Sequence, residues 1–326
     1  MRDPLGERRG SATPFRAIAI GLAAAAIVSA GVAWLLTAPR PRYPRDQWAR
    51  HEQGGDAARG RIVFEAGGCS SCHATPGQTD RLKLGGGLAL KSPFGTFYAP
   101  NISPDRDDGI GAWTVVDLAN AMSTGVSPQD THYYPAFPYT SFQRVGLDDV
   151  RDLLAFLRTL APAPGKSRPH DLWFPFDIRR GVGAWKLLFL DGEALAPDPA
   201  RGPQWNRGRY LVEGLGHCAE CHSPRNRLGA VIAGRRFAGG PSPDGRGQAP
   251  DITPDSSGIG SWSKDDIAEL LASGFTPSGD SVGGAMAEVV RNTAELPPAD
   301  RQAMAEYLKS LPPLKSARAL AQAADR

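Results

Sequence analysis

The sequence holds four cysteines, and all of them fall in two stretches of one pattern, Cys69-Ser70-Ser71-Cys72-His73 and Cys218-Ala219-Glu220-Cys221-His222. Thiols three positions apart can add to the two vinyl groups of one haem, while the adjoining imidazole reaches the iron from the same side. This is the c-type attachment pattern. Cys69, Cys72, Cys218 and Cys221 are thus expected to tether two covalently bound haem c groups, with His73 and His222 as iron ligands. A redox dithiol, a disulfide or a zinc site pooling both pairs would use the same cysteines. Each of these leaves two histidines without a role.

The elements that position the motifs are duplicated. Cys69 and Cys218 lie 149 residues apart, and the same offset aligns Gly109-Ile110-Gly111-Ala112-Trp113 with Gly258-Ile259-Gly260-Ser261-Trp262. Arg59-Gly60-Arg61 matches Arg207-Gly208-Arg209, and Asp149 to Leu157 matches Asp300 to Leu308, each within two residues of that offset. Such a repeat means one domain used twice. In each copy a helix beginning near Ala57 or Asn206 leads into the motif, and a Gly/Pro-rich loop follows. A middle helix then starts after Thr114 or Ser263, both good N-caps. A last helix carries apolar residues at helical spacing (Val150, Leu153, Leu154, Leu157; Met304, Tyr307, Leu308, Leu311) and ends before Pro162 or Pro312. The fold expected is mainly α, with two tandem cytochrome c-type haem domains over 46–161 and 201–313, a connector over 162–200 and a tail over 314–326.

The sixth position on each iron decides what each haem does. Methionine opposite histidine raises the potential and suits electron transfer, and Met286, in the loop expected between the middle and last helices of the second copy, is the assigned ligand. Its counterpart is Phe137, which cannot ligate iron. Three readings stand for the first haem: Met122, on the middle helix with Leu271 as its partner; His132, giving a lower-potential bis-histidine site; or a five-coordinate iron open to small molecules. Met122 also reads as helix core and His132 as a surface loop residue. His51 and His170 read as surface residues, and His217 as a haem-pocket or packing residue.

Residues Ala17 to Ala38 carry no charge, enough at about 1.5 Å per residue to cross a roughly 30 Å hydrocarbon layer. The segment 1–45 therefore reads as a tail, a transmembrane helix with Trp34 near one interface, and a juxtamembrane stretch. A cleaved signal peptide ending at Val28-Ser29-Ala30 is the rival, against which apolar residues continue through Leu36. Covalent haem is added outside the bacterial cytoplasmic membrane, so the chain from about Pro39 is expected in the periplasm. The net charge of +3 gives no reason to expect nucleic acid as a partner. The connector is too aromatic for a flexible linker, with Trp173, Phe174, Phe176, Trp185, Leu187, Leu188 and Phe189. It is expected to pack on the haem domains, or else to offer an apolar docking strip.

Taken with Asn101-Ile102-Ser103-Pro104-Asp105, Tyr134-Pro135-Ala136-Phe137-Pro138-Tyr139, Phe174-Pro175-Phe176-Asp177-Ile178-Arg179 and the run Trp205 to Cys218, the chain resembles the membrane-anchored multihaem cytochrome c subunits of bacterial periplasmic dehydrogenases. These accompany alcohol, aldehyde and molybdenum-dependent enzymes. The resemblance implies an electron-transfer subunit rather than a catalytic one, fed by a periplasmic dehydrogenase and delivering to ubiquinone, a soluble cytochrome or a terminal oxidase at the inner membrane. Family members often carry methionine where Phe137 stands, so that ligand does not transfer. The competing class is a haem enzyme, of peroxidase or thiosulfate-oxidising type, using an open first haem; no acid/base pair accompanies that loop to support it.

Overall fold

Helix pairs crossing at glycine form the frame of both halves. The computed structural model describes residues 13–192, 194–242 and 247–316; Arg2, Arg8 and Arg9 and the tail from 317 lie outside the described residues. In the first copy a leading helix (Ala57–Ala66) crosses a closing helix (Leu147–Leu157), and in the second Pro203–Tyr210, prolonged by a π-turn at Leu211–Leu215, crosses Pro298–Lys309. A Cβ built on Gly60 would lie 1.9 Å from the Asp152 carbonyl oxygen, and one on Gly208 1.9 Å from that of Ala303. Only glycine permits so close a crossing. The preceding arginines lock it, with Arg59 Nε 2.7 Å from Asp152 Oδ2 and Arg207 Nη2 2.7 Å from Asp300 Oδ2, which accounts for the repeated Arg-Gly-Arg.

The middle helices, Val115–Thr124 and Lys264–Ser273, start at the expected caps. Thr114 pairs reciprocally with Asp117, and Ser263 with Asp266, each side chain taking a backbone N–H of the other. Such a box satisfies two otherwise orphaned donors. Asp266 is thus a capping acid in the first turn. The apolar faces of all these helices join one core that runs through both copies, with Phe64, Leu154, Leu211 and Leu215 fully buried.

Two features depart from the sequence reading. The first copy's long loop contains an antiparallel hairpin, Ala89–Ser92 with Gly95–Tyr98, whose second strand also pairs with connector residues Asp171–Leu172. Four-residue strands leave little alternation to detect. The connector itself is divided. Trp185 packs on Tyr139 and Phe176 on Phe94, with ring centroids 6.5 and 4.8 Å apart, yet Trp173, Phe174, Leu187 and Leu188 stand in solvent. His170, expected at the surface, accepts the Tyr98 N–H at Nδ1 (3.1 Å) and packs between Phe97 and Tyr134.

The N-terminal helix runs Thr13–Leu36, and its stretch Phe15–Leu36 is long and apolar enough to cross a membrane. No residue of that stretch is buried against the rest of the protein. Its end is held by the connector helix Gly181–Phe189: Arg180 lies over the Trp34 ring at 4.0 Å and donates to the Trp34 carbonyl, and Gly183 meets the Thr37 backbone.

Candidate haem sites

Each motif forms a tight turn after its leading helix, Cys69–His73 in one copy and Cys218–Glu220 continuing to His222 in the other. The turn is entered in the left-handed region, by Gly68 at φ 59° and by His217 at φ 39°. No disulfide joins any of the four cysteines. Burial, with smaller contributions from neighbouring negative groups, pushes the Cys69 and Cys218 thiols up to about 12, the opposite of a reactive redox dithiol. Among the described residues no three of His, Cys, Asp and Glu gather as a metal ion requires, so the pooled zinc site has no geometry to support it.

The imidazoles are pre-oriented in the same way twice. His73 Nδ1 lies 2.8 Å from the Pro100 carbonyl and His222 Nδ1 2.7 Å from that of Pro250. A carbonyl there takes the Nδ1 proton and fixes the tautomer in which Nε2 is the metal-binding nitrogen. Burial lowers both histidines below their ordinary values despite those carbonyls, which favours the neutral, ligating form. Pro100 is placed by the loop beyond it: buried Asn101 accepts the Ser103 N–H and donates to the Ala163 carbonyl, and Ile110 N bonds Ser103 O, as Ile259 N bonds Thr253 O. The donor set of each site, two thiols outside any disulfide and one orientated imidazole, therefore fits a covalent haem, which supplies a one-electron ferric/ferrous couple.

The distal sides differ. Met286 lies not in a loop but in the first turn of a further helix, Gly284–Thr293, half-buried against the core. Phe137 occupies the matching place and is packed among Tyr133, Tyr139 and Phe142. Met122 is buried on the middle helix at 3 % exposure, close to the 5 % of its partner Leu271. His132 corrects the surface reading. It is buried, not a surface residue, and both ring nitrogens are engaged, Nε2 2.9 Å from the Thr37 carbonyl and Nδ1 3.1 Å from Lys186 Nζ. Its ring holds the end of the N-terminal helix through the Thr37 carbonyl.

The two motifs meet across the interface between the copies. Ser70 Oγ and Arg81 Nη2 donate to Asn292 Oδ1 (3.0 and 2.7 Å), and Asn292 Nδ2 donates to Ser71 Oγ (2.7 Å). Reciprocally, Glu220 Oε1 accepts from Thr140 (2.6 Å) and Ser141 (3.1 Å) of the other copy. Burial opposes the Glu220 charge, but Arg225, Thr140 and His217 outweigh it and hold the carboxyl below its ordinary range. His217 fills the space between, its ring 5.5 Å from that of Phe142. Each attachment turn thus packs on the segment just beyond the distal position of the other copy, with approximate two-fold symmetry.

A cytochrome c family model matches residues 57–161 and again 206–312. The chain belongs to the cytochrome c family. A dihaem cytochrome c-type protein of Cereibacter sphaeroides is 52 % identical over 92 % of this chain and 99 % of its own length. The cytochrome subunit of fructose dehydrogenase from Gluconobacter japonicus is 38 % identical, and the cytochrome c subunit of a quinone-type alcohol dehydrogenase from Gluconobacter oxydans 36 %. The chain spans 52 % and 59 % of those two subunits. As a dihaem cytochrome c it carries two covalent haems and transfers electrons. Sequence reasoning did not identify Pro100, Pro250, Asn292 or Glu220 as parts of the haem sites. The recurrence of Pro-Asn-Ile and Pro-Asp-Ile could have revealed the prolines. Asn292 has no such signal, since its repeat partner is Gln143.

Proposed function

We propose that the chain is the membrane-anchored electron-transfer subunit of a periplasmic dehydrogenase, passing electrons to ubiquinone, a soluble cytochrome or a terminal oxidase of the inner membrane. The observation that carries this is the reciprocal packing of each attachment turn on the other copy, which holds the two motifs at one interface. An enzyme exploiting one open haem needs no such arrangement, whereas a relay does. The names of the dehydrogenase cytochrome subunits it resembles support the same partner class.

In this reading His73 and His222 are the proximal ligands, the four cysteines are tethers, and Met286 completes the second site. With His132 engaged elsewhere and Phe137 unable to ligate, Met122 is the proposed sixth ligand of the first. The stretch Phe15–Leu36 anchors the subunit, leaving the haem domains in the periplasm. Purification from native membranes tests the partner: a dehydrogenase should accompany the chain, and its substrate should reduce both haems. Haems that stay oxidised in a complex with active dehydrogenase would refute the proposal.

A further inference from the structure

We infer that the connector is a second membrane contact, its outward face lying in the outer leaflet beside the N-terminal helix. The inference rests on the reading of Phe15–Leu36 as a span. Between Leu172 and Phe189 six large apolar side chains stand in solvent: Trp173 (64 % exposed), Phe174 (80 %), Phe176 (40 %), Ile178 (51 %), Leu187 (58 %) and Leu188 (69 %). A patch of this kind on a soluble surface marks a binding face, and aromatic and leucine side chains on a short helix and its approach suit the lipid interface.

Position and charge select the bilayer as the occupant. The connector grips the end of the N-terminal helix through Arg180 over Trp34 and through Gly183, where a Cβ would lie 2.2 Å from the Thr37 carbonyl oxygen. Wherever that helix leaves the hydrocarbon, the patch is therefore held beside the exit, and Trp34, itself 63 % exposed, marks the level at which tryptophan prefers to sit. The cations of the segment turn inward. Lys186 donates to the Thr124 and Gly125 carbonyls at 2.6 and 2.7 Å, and Arg179 donates to the His132 carbonyl at 2.8 Å beneath the Tyr134 ring. Asp177 is the one exposed charge from 172 to 189. The clamp thus holds the patch beside the end of the N-terminal helix.

Full-length protein in phosphatidylethanolamine/phosphatidylglycerol vesicles whose acyl chains carry a photoactivatable diazirine tests this, with adducts mapped by peptide mass spectrometry. Adducts are expected within 15–36 and on 173–188, severalfold above those on Phe275, an apolar residue of the second domain that is 55 % exposed. Leu187→Asp with Leu188→Asp should abolish connector adducts and leave those of 15–36 unchanged. Adducts confined to 15–36 would overturn the proposal, assign the patch to a protein partner, and leave the span intact. Adducts in neither segment would overturn both readings. Equal labelling of Phe275 would also overturn it, as general apolar stickiness.

Discussion

The thioether of Met286 and the ring of Phe137 stand at equivalent repeat positions, so the proposed sixth ligands, Met286 and Met122, come from different helices. Met286→Ala should free the sixth position of the second iron, so that the reduced protein binds carbon monoxide there; a carbon monoxide difference spectrum identical to that of the wild type would remove Met286 as a ligand. His132→Ala should leave both haem spectra unchanged, because its nitrogens bond Thr37 and Lys186; altered coordination in the near-infrared magnetic circular dichroism spectrum would restore it as a ligand. Lys186 carries a pH signature. Burial lowers it from 10.5 to about 7, so between those values the unfolded chain holds the extra proton. Stability should therefore rise with pH across that window, by up to about 1.4 kcal/mol per unit, and be flat below it. Denaturation midpoints measured from pH 7 to 10 in the wild type and Lys186→Met would show the slope and its loss.

Among elements, the leading and closing helices were legible because 3.6-residue spacing and capping residues are local properties. What decides whether a half-polar segment is buried is not local. His132 and His170 look like loop histidines until the N-terminal helix and the hairpin fold over them, and the connector's aromatics divide between core and surface according to partners far along the chain. The motifs disclosed the proximal half of each site fully, since tethers and ligand are contiguous. The carbonyls of Pro100 and Pro250 act from a loop beyond, through backbone atoms whose sequence trace is only the recurrence of Pro-Asn-Ile and Pro-Asp-Ile. The helix crossings give a sharp test. Gly208→Ala places a methyl against the Ala303 carbonyl and should cost about 1–3 kcal/mol, the usual range for overpacking. An unchanged thermal midpoint would contradict the crossing. At the interface, Asn292→Leu leaves Ser70, Ser71 and Arg81 without their acceptor and donor, and should destabilise the chain by about 1–3 kcal/mol, measured by the same thermal midpoint.

At the scale of the molecule, duplication supplies two proximal sites of one design, and the interface packs each attachment turn on the other copy. Because the attachment turns pack across the copies, relative domain motion would separate the haems only by breaking the Asn292 and Glu220 networks. The distal sides were then free to differ, with Met286 in one copy and Phe137 at its counterpart in the other, without disturbing that packing. A spectroelectrochemical titration of the purified protein, following the reduced c-type bands, tests this account most directly. Two one-electron waves per chain are predicted; a single electron per chain, or no reducible c-type haem, would contradict it.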